Sequence, residues 1–555
     1  MNTSQREQVQ ANPHHAEKTS SGRAFVLHPF LFALYPVLAL LAVNIQEVDP
    51  TDTFRSLIVV LVTAAIFICV FRLIFHDWQK AGIITSLLLI LFFSYGHIYM
   101  LLKTISIAGF AIGRHRFLIP FMGFILIVGI WFLATRIRNL NQITRFLNIT
   151  ALVSLILPSY TIANFIFHKV PEWEPEIADN RSEGGAVNID QITSLPDIYY
   201  IIVDAYARED ILREQYDYDN SGFIDFLRDR GFYVADQSNT NYMWTTLSLV
   251  SSLNLDYVTN LGVDLTEGYY PYNLESLLQK STVRLKLEEL GYSTVSMSTG
   301  YRPTELKNAD YYLTPDMTNF DVIGTVGGFN AFEGMLFRNT AGLILVDLDI
   351  LLNTDASRLL ADQLNRPHQV QRLIILAEFD HLKYIPEIPE PKFVFVHIVS
   401  PHRPYLFGPN GENTDNTEAF TLAEGQSAPD DKGRYRDQLN YITTRLESTV
   451  DAILSGSNSR PIIILQSDHG TGVGMDWENP SSESIRARAG ILNAYYIEER
   501  CQTQLSPDIM PVNTFRVIFN CYFGETYKKL EEISYFNYVR GNDPFNFIPI
   551  EEILE

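Results

Sequence analysis

Along the first 170 residues, apolar positions run together instead of alternating. Stretches 25–45, 57–75, 81–102, 117–134 and 146–167 each approach the roughly 20 residues that a helix needs to cross a hydrocarbon core. Arg72 is the only charge inside any of them, and it lies close enough to an end to snorkel. The pattern predicts a transmembrane domain of five helices over residues 1–169. The first stretch follows 24 mostly polar residues and has no small-residue cleavage site after it, so it reads as a retained helix and not a signal peptide.

Beyond Lys169 the periodicity changes. Residues 170–195 are rich in Pro, Gly and acids and show no sustained period, which reads as a linker. From Pro196 onward, strand and helix patterns alternate. Residues 198–203 form a continuous apolar run suited to a strand buried on both faces. Asn273 can cap a helix running to Leu290, stopped by Gly291 and followed by a strand at 293–297. A further strand is expected at 393–398. Leu439, Ile442, Leu446, Val450 and Ile453 recur at helical spacing, and residues 462–465 form the next strand. This alternation predicts, over 196–555, an α/β domain with a mostly parallel central sheet flanked by helices.

Charge separates the two parts further. The 555-residue chain has a formal net charge of −22 and a mean hydropathy of +0.02. Residues 1–169 hold 13 Lys and Arg against 6 Asp and Glu, and the remainder holds 29 against 58. An acidic outer part argues against nucleic-acid binding. With the N-terminus inside, the inner side carries Arg6, Lys18, Arg23, Arg72, Lys80, Arg136, Arg138 and Arg145, and the outer loops Arg55, Lys103, Arg114 and Arg116. The bias places the N-terminus inside, and five crossings then put residues 196–555 outside. Within the spans, His97 and Asn164 are polar but no acidic residue sits centrally, which favours interhelical hydrogen bonds over a transport path. Three cysteines cannot form a disulfide scaffold or a multi-Cys zinc site. Cys501 and Cys521 can pair in an oxidising compartment or stand as two buried thiols.

Candidate chemistry collects where three predicted strands end. The first delivers Asp204, the strand at 393–398 delivers His397 and then His402, and the strand at 462–465 delivers Asp468 and His469. Open α/β sheets bind ligands outside the carboxyl ends of their strands. Carboxylates and imidazoles converging there suit zinc or manganese. Each residue alone has a plainer role as a turn former or a hydrogen-bonded strand end, so the weight lies in the convergence. Adjacent Asp468 and His469 can reach one ion only across a sharp turn, for which Gly470, Gly472 and Gly474 supply a permissive backbone.

The segments IIVDAYARED, TNYMWTTLSLVSSLN, HIVSPHRPY and QSDHG resemble the alkaline phosphatase superfamily in its sulfatase-like branch. The architecture is similar to that of lipoteichoic acid synthases and lipid A phosphoethanolamine transferases, which are membrane enzymes of the bacterial cell envelope. The resemblance implies a plasma (inner) membrane location, an extracytoplasmic catalytic domain and one divalent metal ion, zinc or manganese. By the same resemblance, Asp204, Thr245, Asp468 and His469 hold the metal, and Thr245 is the nucleophile. By the same resemblance His397 and His402 bind the substrate phosphoryl group or a second metal, with Arg208 as a further phosphoryl contact. Arg208 is explained equally well by pairing with Glu209 or Asp210. Thr246 is the alternative nucleophile, and N-capping is the plainer role of either threonine.

The implied reaction passes a phosphoryl-linked group through a phospho-threonine intermediate to a lipid-linked or glycan acceptor of the cell envelope. No cysteine occupies the nucleophile segment, so formylglycine chemistry is excluded there. Two departures stand out: no histidine follows His469, and Ala205 replaces the second Asp of the sulfatase pair, which points to one metal and not two. The competing readings are a sulfatase-like phosphoesterase or sulfuric-ester hydrolase, and a non-catalytic envelope binding protein on a degenerate domain. Trp244 and Tyr405 can stack on a glycan, line a lipid path or pack in the core. The polar stretch 403–433 suits a substrate loop or a disordered one, and Arg486 and Arg488 can contact an anionic substrate, with a solvated face the plainer expectation.

Overall fold

The structure is a computed structural model. It describes residues 23–45, 48–103, 105–107, 110–111, 113–137, 139–167, 195–262, 270–316, 328–346, 355–388, 391–414, 416, 418–422, 431–537 and 546–554. Two compact units emerge, one containing residues up to 39 with 56–158, the other 40–55 with 159–555. The expected linker lies outside the described residues, apart from Leu195.

Helices α1 (His28–Val43), α2 (Phe54–Phe75), α3 (Trp78–Leu102), α4 (His115–Thr135) and α5 (Leu140–Phe167) occupy the N-terminal part. Among the described residues four helices, α2 to α5, are long and apolar enough to cross a membrane. Five were expected, and α1 is the exception. Its 16 residues rise to about 24 Å at 1.5 Å each, short of a core of about 30 Å. The cause is local. The chain before His28 is held extended against α5, where Asn148 accepts from the N–H groups of Leu27 and His28 and donates to the Phe25 carbonyl. On α2, α4 and α5, large apolar side chains such as Leu73, Ile127 and Leu157 are about 70% exposed, a surface that a lipid solvent stabilises and water does not. Polar groups inside this unit pair with one another, as His28 does with Ser86 and Tyr95 with His115.

The second unit is built on a seven-stranded sheet. In chain order its strands are β1 (Ile198–Val203), β2 (Tyr233–Val234), β3 (Ser293–Met297), β4 (Tyr311–Leu313), β5 (Lys392–Ile398), β6 (Ile462–Gln466) and β7 (Asn493–Tyr496). The spatial order is β2-β7-β6-β1-β5-β3-β4. The five strands from β6 to β4 are parallel, and β7 and β2 add antiparallel pairs at one edge. Strand β1 lies at the centre and is buried throughout. Tyr199, Ile201 and Val203 belong to one core with Leu439, Ile442 and Leu446, whereas Ile198, Tyr200 and Ile202 belong to the other with Leu247, Val250 and Phe515. Two-sided burial is why β1 shows no alternation in sequence.

Helix α6 (Thr245–Leu253) packs on one face, and α7 (Asp431–Gly456) carries the expected apolar stripe to the other. The helix expected from Asn273 to Leu290 is two helices, Tyr270–Gln279 and Thr282–Glu289. The break comes at Ser281, which is extended, because Asn254 accepts from the backbone and hydroxyl of Thr282. Gly291 ends the second helix at φ +89°, a conformation open to glycine. Cys501 and Cys521 form a disulfide that ties Glu499–Gln502 to the helix Pro511–Phe523. The stretch beginning at residue 403 is not a loose loop where described: Tyr405, Leu406 and Phe407 are buried in the core.

Candidate metal centre

Register aligns the carboxyl ends of the three central strands, with Val203 opposite Ile398 and Ile202 opposite Gln466. Whatever follows each strand therefore meets at one place. Asp204 follows β1, Ser467-Asp468-His469 follows β6, and β5 contributes His397 from within and His402 from the loop beyond. Ligand atoms of Asp204, Asp468 and His469 lie within 4.8 Å of one another, and all three residues are buried. His469 Nε2 is 3.6 Å from Asp204 Oδ1 and 3.2 Å from Asp468 Oδ2. On the opposite side, His397 Nε2 is 3.4 Å from Asp204 Oδ2.

The ring contacts orient these imidazoles. His469 Nδ1 meets the Gly470 carbonyl at 3.0 Å, so its proton resides there and the Nε2 lone pair faces the carboxylates. His402 Nδ1 donates in the same way to the Arg403 carbonyl at 2.6 Å. His397 Nδ1 meets the Thr304 hydroxyl at 2.9 Å. The turn after β6 depends on Gly470, since a Cβ there would come 2.0 Å from the Ala487 carbonyl oxygen. Ala205 is left-handed at φ +65°, bending the chain directly after Asp204.

Three buried side-chain atoms at the centre have no hydrogen-bond partner: Asp204 Oδ1, Asp468 Oδ2 and His397 Nε2. Buried carboxylate oxygens left in that state are costly unless a cation takes them up. Two carboxylate oxygens and an imidazole nitrogen form a hard-to-borderline donor set, which fits a divalent cation. Burial opposes charge on Asp204, but the imidazoles of His402, His397 and His469 outweigh it and hold the carboxyl below its usual range.

Thr245 begins α6 and faces this cluster, its hydroxyl 3.1 Å from His469 Nε2. The first closed turn of the helix is the bond from Ser248 N–H to the Trp244 carbonyl, so the amides of Thr245, Thr246 and Leu247 precede it. Those amides and the helix dipole favour an anion at that end. Of the two candidate threonines, Thr245 is the one that meets His469.

Arg208 is placed differently from the other expected residues. Its guanidinium binds both oxygens of Asp210, the Ser238 carbonyl and Asn239 Oδ1, a structural clamp. Arg488, expected on a solvated face, is instead 1% exposed. Its Nη2 lies 3.0 Å from His469 Nε2, its Nε donates to the Met243 carbonyl, and its guanidinium lies over the Trp477 ring. A signal for it exists in the sequence, because Arg488 falls three residues after Ile485 on the buried stripe of the helix Ser482–Ala489. Thr304, which orients His397, leaves no comparable signal.

No family model matches the chain, and no curated protein matches it. Solved structures similar to it include phosphoethanolamine transferases and sulfatases. One is the periplasmic domain of EptC from Escherichia coli, at 13% identity and TM-score 0.39, covering 65% of this chain and 94% of that one. The integral-membrane lipooligosaccharide phosphoethanolamine transferase EptA of Neisseria meningitidis aligns over 91% of this chain and 95% of its own, at 11% identity and TM-score 0.38. A Bacteroides thetaiotaomicron sulfatase of glycosaminoglycan metabolism gives 13% identity and TM-score 0.37, over 64% of this chain and 84% of that one. At these values the site's own geometry carries the functional reading.

Proposed function

We propose that the protein is a membrane-anchored, metal-dependent transferase that moves a phosphoryl-linked group, through a covalent intermediate on Thr245, to an acceptor of the cell envelope. One observation carries the reading: a threonine hydroxyl at a helix N-terminus stands 3.1 Å from His469 Nε2, beside two buried carboxylate oxygens that lack partners. Asp204, Asp468, His469 and Thr245 would hold zinc or manganese. A bound divalent cation supplies positive charge that lowers the pKa of the Thr245 hydroxyl.

Thr245 enters as the alkoxide, its proton lost to solvent, and in the first step the Thr245 Oγ–P bond forms as the bond from phosphorus to the leaving alcohol breaks. The departing oxygen takes a proton from an imidazole. His402 is suited to this, since its Nδ1 is bound to a carbonyl and proton exchange falls to Nε2. In the second step the acceptor hydroxyl gives its proton back to that imidazole, attacks phosphorus and breaks the threonine ester. His397, Arg488 and the amides opening α6 neutralise charge on the phosphoryl oxygens. Splitting the transfer in two is the gain that a covalent intermediate provides. The absence of cysteine at 245 favours phosphoryl over sulfuryl chemistry.

The apolar helices suggest a lipid-linked substrate taken from the membrane. The disulfide favours an oxidising, extracytoplasmic setting for the catalytic unit.

The test is trapping. Purified protein mixed with a nitrophenyl phosphodiester and quenched should carry a phosphoryl adduct on the peptide containing Thr245, seen by mass spectrometry. Thr245→Ala should fold as the wild type, form no adduct and lose at least about a thousandfold in kcat. Full turnover by Thr245→Ala would refute the assignment. Product release that needs no added alcohol or glycan would favour the phosphoesterase reading over the transferase.

A further inference from the structure

Helix α7 lies outside every motif that points to the site, yet two of its side chains reach the turns that carry site residues. The Tyr435 hydroxyl donates to the Ala205 carbonyl at 2.8 Å and accepts the Ala207 N–H at 3.3 Å. It thus brackets the turn that begins at Asp204. Ala205 within that turn is left-handed at φ +65°, where a glycine would be the unstrained choice. The Ala205 N–H donates in turn to Asp468 Oδ1 at 3.3 Å, so the turn touches a second member of the cluster.

Three residues further along the same helix face, Gln438 Nε2 donates to the His402 carbonyl at 2.9 Å. Its Oε1 accepts from the N–H groups of Leu406 and Phe407. The His402 N–H closes the circuit by donating to the Asp204 carbonyl at 3.1 Å. Tyr435 and Gln438 are at most 1% exposed. Burial pushes the Tyr435 phenol well above its ordinary range, so it remains a hydrogen-bond donor throughout the physiological range.

We propose that Tyr435 and Gln438 are positioning residues, through which one face of α7 fixes Asp204 for metal binding and His402 for proton transfer. The inference rests on reading the Asp204, Asp468 and His469 cluster as a metal site. A side chain that fixes a ligand's carrier sets affinity without touching the ion, as partners of metal ligands do elsewhere. Tyr435 acts on the ligand turn and Gln438 on the histidine loop, so their losses should show in different measurements.

The experiment uses the full-length protein in detergent, with zinc and manganese affinities measured by competition against a metallochromic chelator. Tyr435→Phe keeps the ring and removes only the hydroxyl, and should weaken zinc binding by about 10- to 100-fold. Gln438→Glu keeps the acceptor for Leu406 and Phe407 but loses the donor to His402. It should change zinc affinity less than about threefold while lowering kcat on a nitrophenyl phosphodiester by about tenfold or more. Leu446→Ala hollows the core under the same helix and controls for general loosening. It should lower the melting temperature and leave zinc affinity alone. Wild-type protein that binds neither metal would overturn the metal-site reading and this inference with it. Normal metal binding by wild type and by Tyr435→Phe alike would overturn the inference and spare the site. Equal weakening in Leu446→Ala would reduce Tyr435 to a structural part. Wild-type kcat in Gln438→Glu would remove the role given to that residue.

Discussion

Arg488 places a permanent positive charge beside a histidine whose lone pair faces two carboxylates, on a side chain only 1% exposed. Its Nε donates to the Met243 carbonyl and its Nη2 lies 3.0 Å from His469 Nε2, with the Trp477 ring on one face. A lysine offers a point charge and no plane, so it cannot reproduce that combination. Arg488→Lys should lower kcat/KM on a phosphodiester by about 100-fold, the scale of losing one donor to developing charge. Metal content should be unchanged, which separates this effect from disruption of the cluster. At this scale the sequence exposes the chemistry of each residue but seldom its address. Arg208 and Arg488 looked alike, and the difference came from Asp210, Ser238 and Asn239 lying within reach of the first and not of the second.

At the scale of elements, the helix Asp355–Tyr384 carries a buried acid that the proposed chemistry does not use. Glu378 is 1% exposed, and neither carboxyl oxygen has a partner. Burial, with Glu305 nearby, raises its pKa well above the ordinary 4.5. A carboxyl whose folded pKa exceeds its unfolded value contributes stability that is full below the unfolded pKa and is lost as pH rises through the folded one. The wild-type protein should therefore lose stability as pH is raised above about 4.5, and Glu378→Gln should flatten that loss. Melting temperatures across pH 5 to 9 would check it: the variant should match wild type at the acid end and exceed it at the alkaline end. Strands were the most legible elements, because β1, β5 and β6 are short apolar runs bounded by breakers, and β3 follows the helix stop at Gly291. Helix bounds were less so. Neither the break at Ser281 nor the late start of α1 at His28 is written in hydropathy, since each is made by an asparagine side chain remote in sequence, Asn254 and Asn148.

The whole molecule joins an apolar unit to an acidic one, and its orientation turns on a count of crossings. Five crossings from an inside N-terminus place the α/β unit outside, but α1 is too short to be counted with the rest. With four crossings the two ends of the helical part share a side. The Cys501–Cys521 disulfide then becomes the stronger guide, since it favours an oxidising side for the α/β unit. A bulky thiol reagent applied to intact cells should label a cysteine placed on the exposed Asp229 in α/β territory, through Asp229→Cys, and protection of that site until lysis would reverse the orientation. The same reagent at the N-terminal segment reports whether α1 crosses.

The sequence alone determined the division into membrane and α/β parts, the central strands and the types of residue gathered at their ends. Those features follow from hydrophobic period and from the side to which a strand delivers its last residue, both local properties of the chain. Tertiary structure decided which threonine meets His469, which arginine enters the cluster, and that a face of α7 holds the turns in place. Those outcomes depend on groups up to 245 residues apart, as for Arg488 and the Met243 carbonyl. Register between neighbouring strands fixes such distances, and no local pattern encodes them.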